Sequence, residues 1–354
     1  MSKMGKWLLI FGIVALAGAV LFGISVAAFG VKDNNYGISI GDKDVSIFNL
    51  GGTTMNFLPG NSGIHFREDV TNIDFDFEAN KDYDKSFDAS GLKDIQIALA
   101  SCNADITCTS GSTASLTYRT GSAKVYFSAE LRDGVLQITE KPASVFNIGS
   151  FKSSSLTLSL PEKLYESLKL ELASGSIKTS GLTADSLKAQ AASGSMELGI
   201  FADSIDLDIA SGKMTVTNCT DKTANNIDID AASGSIVLNG FGADSTKVNL
   251  ASGNVTLNDI SGSVNVELAS GKVNLNYAQW NGSLGIDLMS GKVDAALPEG
   301  SGAAVEFEKA SGSINIALDG ESVSLSKGGN ATIGGSNVQN VKAHTMSGSI
   351  SIHN

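Results

Sequence analysis

The sequence predicts an all-β fold: a single-stack, β-helix-like β-solenoid of about ten coils of 18–22 residues, preceded by an N-terminal transmembrane helix and an irregular β cap. Three observations predict it. A Ser-Gly pair, usually preceded by Ala, returns with its serine at 174, 193, 211, 233, 252, 270, 290, 311 and 347. The residues on either side of each copy alternate apolar and polar with a period of two. The composition sets 39 Gly against only 4 Pro, which suits a chain of many tight bends whose backbone N–H groups stay available for ladders.

Taken in order, residues 1–6 form a short cytoplasmic tail carrying Lys3 and Lys6. The run from Trp7 to Val31 holds no charged residue, long enough as a helix to cross a hydrocarbon core of roughly 30 Å. It reads as a signal-anchor helix, with the two lysines favouring an inside amino terminus and an extracytoplasmic remainder. A cleaved signal peptide is the alternative, with Ala15-Leu16-Ala17 or Val26-Ala27-Ala28 as cutting sites. Residues 32–90 read as a juxtamembrane stalk with some strand content, marked by Asn34-Asn35, Gly51-Gly52 and Pro59-Gly60. Residues 91–167 read as the irregular β cap, with strands such as DIQIALASCNADITC and a turn at Arg132-Asp133-Gly134.

Residues 168–354 form the solenoid. The sixth, fourth and second residues before each serine are Leu168, Leu170 and Leu172 in one copy, Ile205, Leu207 and Ile209 in another, and Val264, Val266 and Leu268 in a third. A second strand follows each corner, with Ile177, Ile236, Val273 and Ile314 starting its inward set. The inward phase slips by one across Ala-Ser-Gly, so the pleat breaks there, and glycine turns the chain where a side chain resists positive φ. The corner glycines are Gly175, Gly194, Gly212, Gly234, Gly253, Gly271, Gly291, Gly312 and Gly348. A single coil buries too little to offset the entropy of ordering it, so coils must stack. The interval of 36 before Ser347 equals two periods of 18, which places an unmarked coil near Ser326-Lys327-Gly328. The strand around Ser349 to Ile352 then presents an open edge, and open edges pair; either end-to-end self-association through these strands or a lid is expected.

The outward position three residues before each serine reads Glu171, Gln190, Asp208, Asp230, Asn249, Glu267, Asp287, Glu308 and His344. Stacked in register, its acids Glu171, Asp208, Asp230, Glu267, Asp287 and Glu308 form a column that serves as the candidate binding surface, or simply as a solvated face that keeps the coils soluble. Paired carboxylates on a β-helix also serve glycan cleavage, and Asp206, Asp208, Asp228 and Asp230 are the candidates for that chemistry. They follow the repeat rather than interrupting it, so no catalytic residue is assigned. His65, His344 and His353 are the only histidines and lie in unrelated contexts, which leaves triad chemistry without support. No metal spacing and no cofactor motif occurs. Cys102 and Cys108 are near enough in sequence to bridge and Cys219 has no local mate, with free thiols as the plainer reading. Without Lys3 and Lys6 the 25 basic residues fall to 23 against 37 acidic ones, a formal charge of −14 on the exported part. Such a surface excludes nucleic acid as a partner.

Ile95-Gln96-Ile97 before Ala100-Ser101, the stretch from Asp133 to Ile138, Leu160-Pro161-Glu162-Lys163 and the repeated corner together resemble a bacterial putative-adhesin family of unknown function built on a β-strand-repeat domain. The resemblance covers residues 90 to 354. It implies a β-solenoid displayed on a membrane-anchored or secreted protein, supplies no catalytic residues and names no ligand. One departure is Cys102, which stands where most corners carry glycine. The resulting expectation is a single-pass cell-membrane protein whose extracytoplasmic solenoid is a non-catalytic, adhesin-like module binding a glycan or an envelope protein. A scaffold or stress-response component with a protein partner in the same envelope is the alternative, and a glycan-cleaving enzyme the lesser one.

Overall fold

The computed structural model describes residues 39–40, 43–50, 53–57, 64–68, 82–121, 125–142, 153–325 and 328–354. The expected transmembrane helix over 7–31 lies outside them, as does much of the stalk. Among the described residues no helix is long and apolar enough to cross a membrane, and every regular element is a strand. The chain divides into two compact units, Met1–Glu197 and Leu198–Asn354.

In the first unit, Ser39–Ile40, Lys43–Leu50, Thr53–Phe57 and Ile64–Glu68 form an antiparallel four-stranded sheet. The region expected to be an irregular cap contains a full coil of its own, Asp94–Thr109, which pairs in parallel with the Leu164–Ala191 strand from Asp94↔Ser167 to Thr107↔Ser180. Ser101 and Cys102 sit beside Ser174 and Gly175, so Ala100-Ser101-Cys102 is a corner in register with the next. Ile95, Ile97 and Leu99 lie inside with Leu168, Leu170 and Leu172, none more than 1% exposed. The period-two pattern dictates this, because alternate side chains point to one face. Cys102 is absent from the residues with positive φ, whereas Gly175 above it has a φ of 99°. The corner therefore bends without glycine at 102.

The other edge of the 94–109 coil pairs in parallel with Val135–Pro142 and Ser154–Pro161. These two strands form an outer coil, covered in turn by antiparallel strands: Val125–Arg132 on the first, and Thr113–Arg119 on the second, with Tyr83–Asp88 beyond it. The Leu160-Pro161-Glu162-Lys163 segment acts as a clasp. The Lys163 ammonium donates to the carbonyl oxygens of Ala89 and Leu92, and the buried Tyr165 hydroxyl donates to that of Pro161 at 2.6 Å.

The second unit carries the regular coils. Residues 204–217 pair with 226–239, and these with 245–258, serine on serine and glycine on glycine at 211, 233 and 252. Residues 264–268 and 272–276 continue the stack onto 284–288 and 292–296. The corner glycines are not all held by the same constraint. At Gly253, φ is 105° and an added Cβ would fall onto the carbonyl oxygen of Gly234 one coil away. Gly234 itself has no positive φ, but a Cβ there would meet the Ile209 Cδ1 at 2.9 Å. The second, looser corner is closed by large buried rings, Phe201, Phe241 and Trp280, and the Trp280 indole donates to the Gly302 carbonyl at 2.9 Å.

Beyond Ala296 the stack departs from the sequence-based expectation in two ways. The coil expected near Ser326-Lys327-Gly328 lies partly outside the described residues, and the described strands on either side do not continue the parallel stack. Instead Glu321–Leu325 and Gly328–Gly334 run antiparallel to Ser313–Leu318 and Ser301–Lys309, so the interval of 36 is one coil plus a returning cover. The strand Ser349–His353 is also not an edge, since it pairs in parallel with Lys292–Ala296 on one side and Ser313–Leu318 on the other. Its companion Asn337–Thr345 lies likewise between Leu284–Leu288 and Ser301–Lys309. The last coil in sequence is therefore wedged inside the stack rather than presented as an open edge, and the antiparallel cover lies on the 301–318 coil instead.

Candidate functional site

Each coil of the second unit presents one strand before the corner and one after it, and their outward residues differ in chemistry. Before the corner, register places Asp206 beside Asp228, Asp208 beside Asp230, and Asp230 beside Asn249. Further along, Glu267 lies beside Asp287, Asp287 beside His344 and His344 beside Glu308. The predicted column thus exists for Asp208, Asp230, Glu267, Asp287 and Glu308, with the order of its last members changed by the wedged coil. Glu171 is corrected. It belongs to the first unit and is 3% exposed, directly opposite Ala98 on the neighbouring strand and ion-paired with Lys169 at 2.7 Å. The strand Lys43–Leu50 approaches the 94–109 and 164–191 strands.

Within the column, the Asn249 amide donates to Asp230 Oδ1 at 2.8 Å, and His344 Nδ1 lies 3.0 Å from Asp287 Oδ1. Crowding by its neighbours desolvates the Asp230 carboxyl even at the surface, and the charges of Asp208 and Asp228 add to it. Together they hold Asp230 above the usual carboxylate range despite the Asn249 bond. Asp206, Asp208, Asp228 and Asp230 form a patch filled by the same rule as the rest of the strand. Among the described residues no group of three or more His, Cys, Asp and Glu is placed to hold a metal ion.

After the corner most outward residues are amides, hydroxyls and lysines, with Val237, Asp294 and His353 among the exceptions. Asn276 donates to Asn258 Oδ1 at 2.7 Å, Asn258 to Asn239 Oδ1 at 2.9 Å, and Asn239 to Thr217 Oγ1 at 3.2 Å. A parallel pair joins Asn274 to Thr256 at 3.2 Å. Each amide in the ladder spends one N–H on its neighbour and keeps the second N–H for solvent or ligand. Sequence reasoning missed this ladder, although its signal is present: the sixth residue after the serine is Asn in the copies at 233, 252 and 270.

The first unit holds a different polar cluster, buried rather than displayed. Glu140 is fully buried and accepts from the Ser101 N–H at 2.7 Å and the Tyr118 hydroxyl at 2.9 Å. Tyr118 also pairs with Ser154 Oγ at 2.9 Å and stacks on Phe127 with ring centroids 3.8 Å apart. Burial first, and the Glu140 charge second, push the Cys102 thiol and the Tyr118 phenol well above their usual ranges. A thiol so held is inert. None of Cys102, Cys108 and Cys219 forms a disulfide among the described residues, and Cys108 donates to the Gly181 carbonyl at 3.3 Å.

No curated protein matches the chain. Among solved structures, a putative adhesin from Parabacteroides distasonis is 15% identical with a TM-score of 0.46, over 77% of this chain and 97% of that one. A putative lipid binding protein from the same species is 13% identical with a TM-score of 0.37, over 77% and 96%. A putative adhesin from Parabacteroides merdae is 12% identical with a TM-score of 0.35, over 76% and 96%. The family model described as Toastrack DUF4097 matches residues 92–353, the span of both stacks with their covers, and the chain belongs to that family.

Proposed function

We propose that this chain is a non-catalytic binding module of the bacterial envelope, anchored by the 7–31 segment and displaying its coils outside the cytoplasm. The observation that carries the reading is the register of the second unit, which repeats outward side chains from coil to coil at roughly the 4.8 Å strand spacing. A surface of that kind suits a ligand that is itself extended and repetitive, so a glycan is the first choice and an envelope protein strand the second. The carboxylate column at Asp208, Asp230, Glu267, Asp287 and Glu308 and the amide ladder at Asn239, Asn258 and Asn276 are the two faces available to it.

The full chain in detergent micelles, screened against glycans and envelope proteins, tests this. Binding is expected to fall at least tenfold either when the five column acids become Asn or Gln, or when the three ladder amides become Ser. A ligand indifferent to both sets removes the proposed surface. Protease added to intact cells should cleave the coils from outside, and full protection contradicts surface display.

A further inference from the structure

Residues 337–354 are held in a slot rather than at the end of a stack. Among the described pairings, Ser301–Lys309 is bonded only to Gly328–Gly334 and Asn337–Thr345, and Ser313–Leu318 only to Glu321–Leu325 and Ser349–His353. The coil at 301–318 therefore meets the coil at 284–296 through the 337–353 strands. Inside, Val341, Ala343, Ile350 and Ile352 are at most 1% exposed.

Outside, the occupant turns one lysine and two imidazoles toward carboxylates of the slot. Residues 337–354 carry Lys342, His344 and His353 and no Asp or Glu, whereas the flanking strands present Asp287, Asp294, Glu306 and Glu308 alongside Lys292 and Lys309. Lys342 Nζ lies 3.1 Å from Glu306, His344 Nδ1 3.0 Å from Asp287, and His353 Nε2 3.9 Å from Asp294. The Asn354 side chain closes the far side, donating to Asp319 Oδ1 at 2.8 Å.

We infer that the 337–354 coil is an exchangeable element, and that the slot between the 284–296 and 301–318 coils accepts the same coil from a second copy of this chain. Every ladder bond, buried aliphatic and ion pair of the slot is available identically to either copy's segment, so exchange changes only the short connection at Gly335-Ser336 and the local concentration of the segment. A segment inserted between two coils that precede it in sequence must pair non-locally, and such pairings form late. That leaves the slot open to a neighbour while chains are crowded on a membrane. Exchange of this kind uses backbone pairing for affinity and the inward residues for register.

Ser313 and Ser349 give a direct record of whose coil fills the slot, because their hydroxyl oxygens are 3.0 Å apart across it. The test uses the full chain in detergent with the exposed Cys219 replaced by serine. A Ser313→Cys chain is mixed with a differently tagged Ser349→Cys chain at rising concentration, incubated and oxidised, then run without reductant. The expected result is a mixed covalent dimer, growing with concentration and at least tenfold above that from a Thr256→Cys chain mixed with Ser349→Cys. Chains carrying both Ser313→Cys and Ser349→Cys are expected to close internally when dilute. Mixed dimer no greater than the Thr256→Cys control at every concentration, with internal closure intact, overturns the inference. Failure of the double variant to close while its circular dichroism stays native overturns it as well, since the slot would then not place these strands side by side.

Discussion

The 94–109 coil of the first unit and the 337–353 coil of the second occupy equivalent places. Each is wedged between two coils that are consecutive in sequence, 135–161 and 164–180 in one case, 284–296 and 301–318 in the other. In each unit the outer of those coils is covered by two antiparallel strands, and the path that makes this arrangement in the first unit is run in reverse order in the second. The devices that fix the wedges differ. Around 94–109 a buried carboxylate, Glu140, bonds the corner backbone and a buried tyrosine, and the outward position at Ala98 is buried. Around 337–353 the polar contacts combine an ion pair at the surface, with the Lys342 and Glu306 side chains 67% and 58% exposed, with neutral bonds such as the Ser313–Ser349 hydroxyl pair and Asn337 to the Trp280 carbonyl. A parallel stack is closed by the same topology in both units, because antiparallel covers replace a parallel edge that would accept further strands. The first wedge is locked by desolvated polar bonds, the second by apolar packing, neutral bonds and screened charge.

Glycine replacements at the two wedges test the shared part of this comparison and carry the largest effect. Gly175 has a φ of 99° and a Cβ there would strike the Cys102 carbonyl, while Gly312 has a φ of 86° and a Cβ there would strike the Gly348 carbonyl. Gly175→Ala and Gly312→Ala should each cost about 3 kcal/mol, read from urea unfolding followed by circular dichroism. Unequal costs would show that one wedge yields more easily. Glu140→Ala tests the difference: it leaves the Ser101 N–H and the Tyr118 hydroxyl short of a buried acceptor, a loss of about 2 kcal/mol. Hydrogen exchange should place the loss in residues 94–142, and Glu140→Gln should restore much of it by keeping an acceptor. Lys342→Ala at the other wedge should cost less than about 1 kcal/mol and nothing at high salt.

The smallest effect concerns a regular coil, where neither device operates. Asp230 holds its proton more tightly folded than unfolded, so the folded chain loses relative stability as pH rises through the carboxylate range. Asp230→Asn should therefore raise the melting temperature slightly at pH 7, and the gain should vanish in acid, where the native carboxyl is already neutral. Thermal melts across that range check it, and an unchanged difference at all pH values would show that crowding by Asp208 and Asp228 is not its source.

Much of the coil itself was readable. Leu168, Leu170 and Leu172 point inward as alternation requires, and the slip of phase across Ser211-Gly212 locates the corner in register with Ser233-Gly234. Glu171 shows the limit. Its position in the repeat is outward, yet it is 3% exposed and ion-paired with Lys169, and alternation alone does not tell an outward position that stays wet from one that is buried. The amide ladder was legible in Asn239, Asn258 and Asn276 but is drowned in a pattern where any polar residue satisfies an outward position. Glu140 lay outside the repeat, and nothing local distinguishes a buried carboxylate from a surface one.

Period-two alternation and the freedom of glycine at positive φ set the single coil: where its strands run, which side chains face inward and where most corners bend. The order in which coils stack, and how the stacking stops, is settled in the folded chain. Every parallel coil offers the same two backbone edges to its neighbours, so the choice of neighbour is made by packing and charge between residues remote in sequence, as at Asp287, His344 and Glu308.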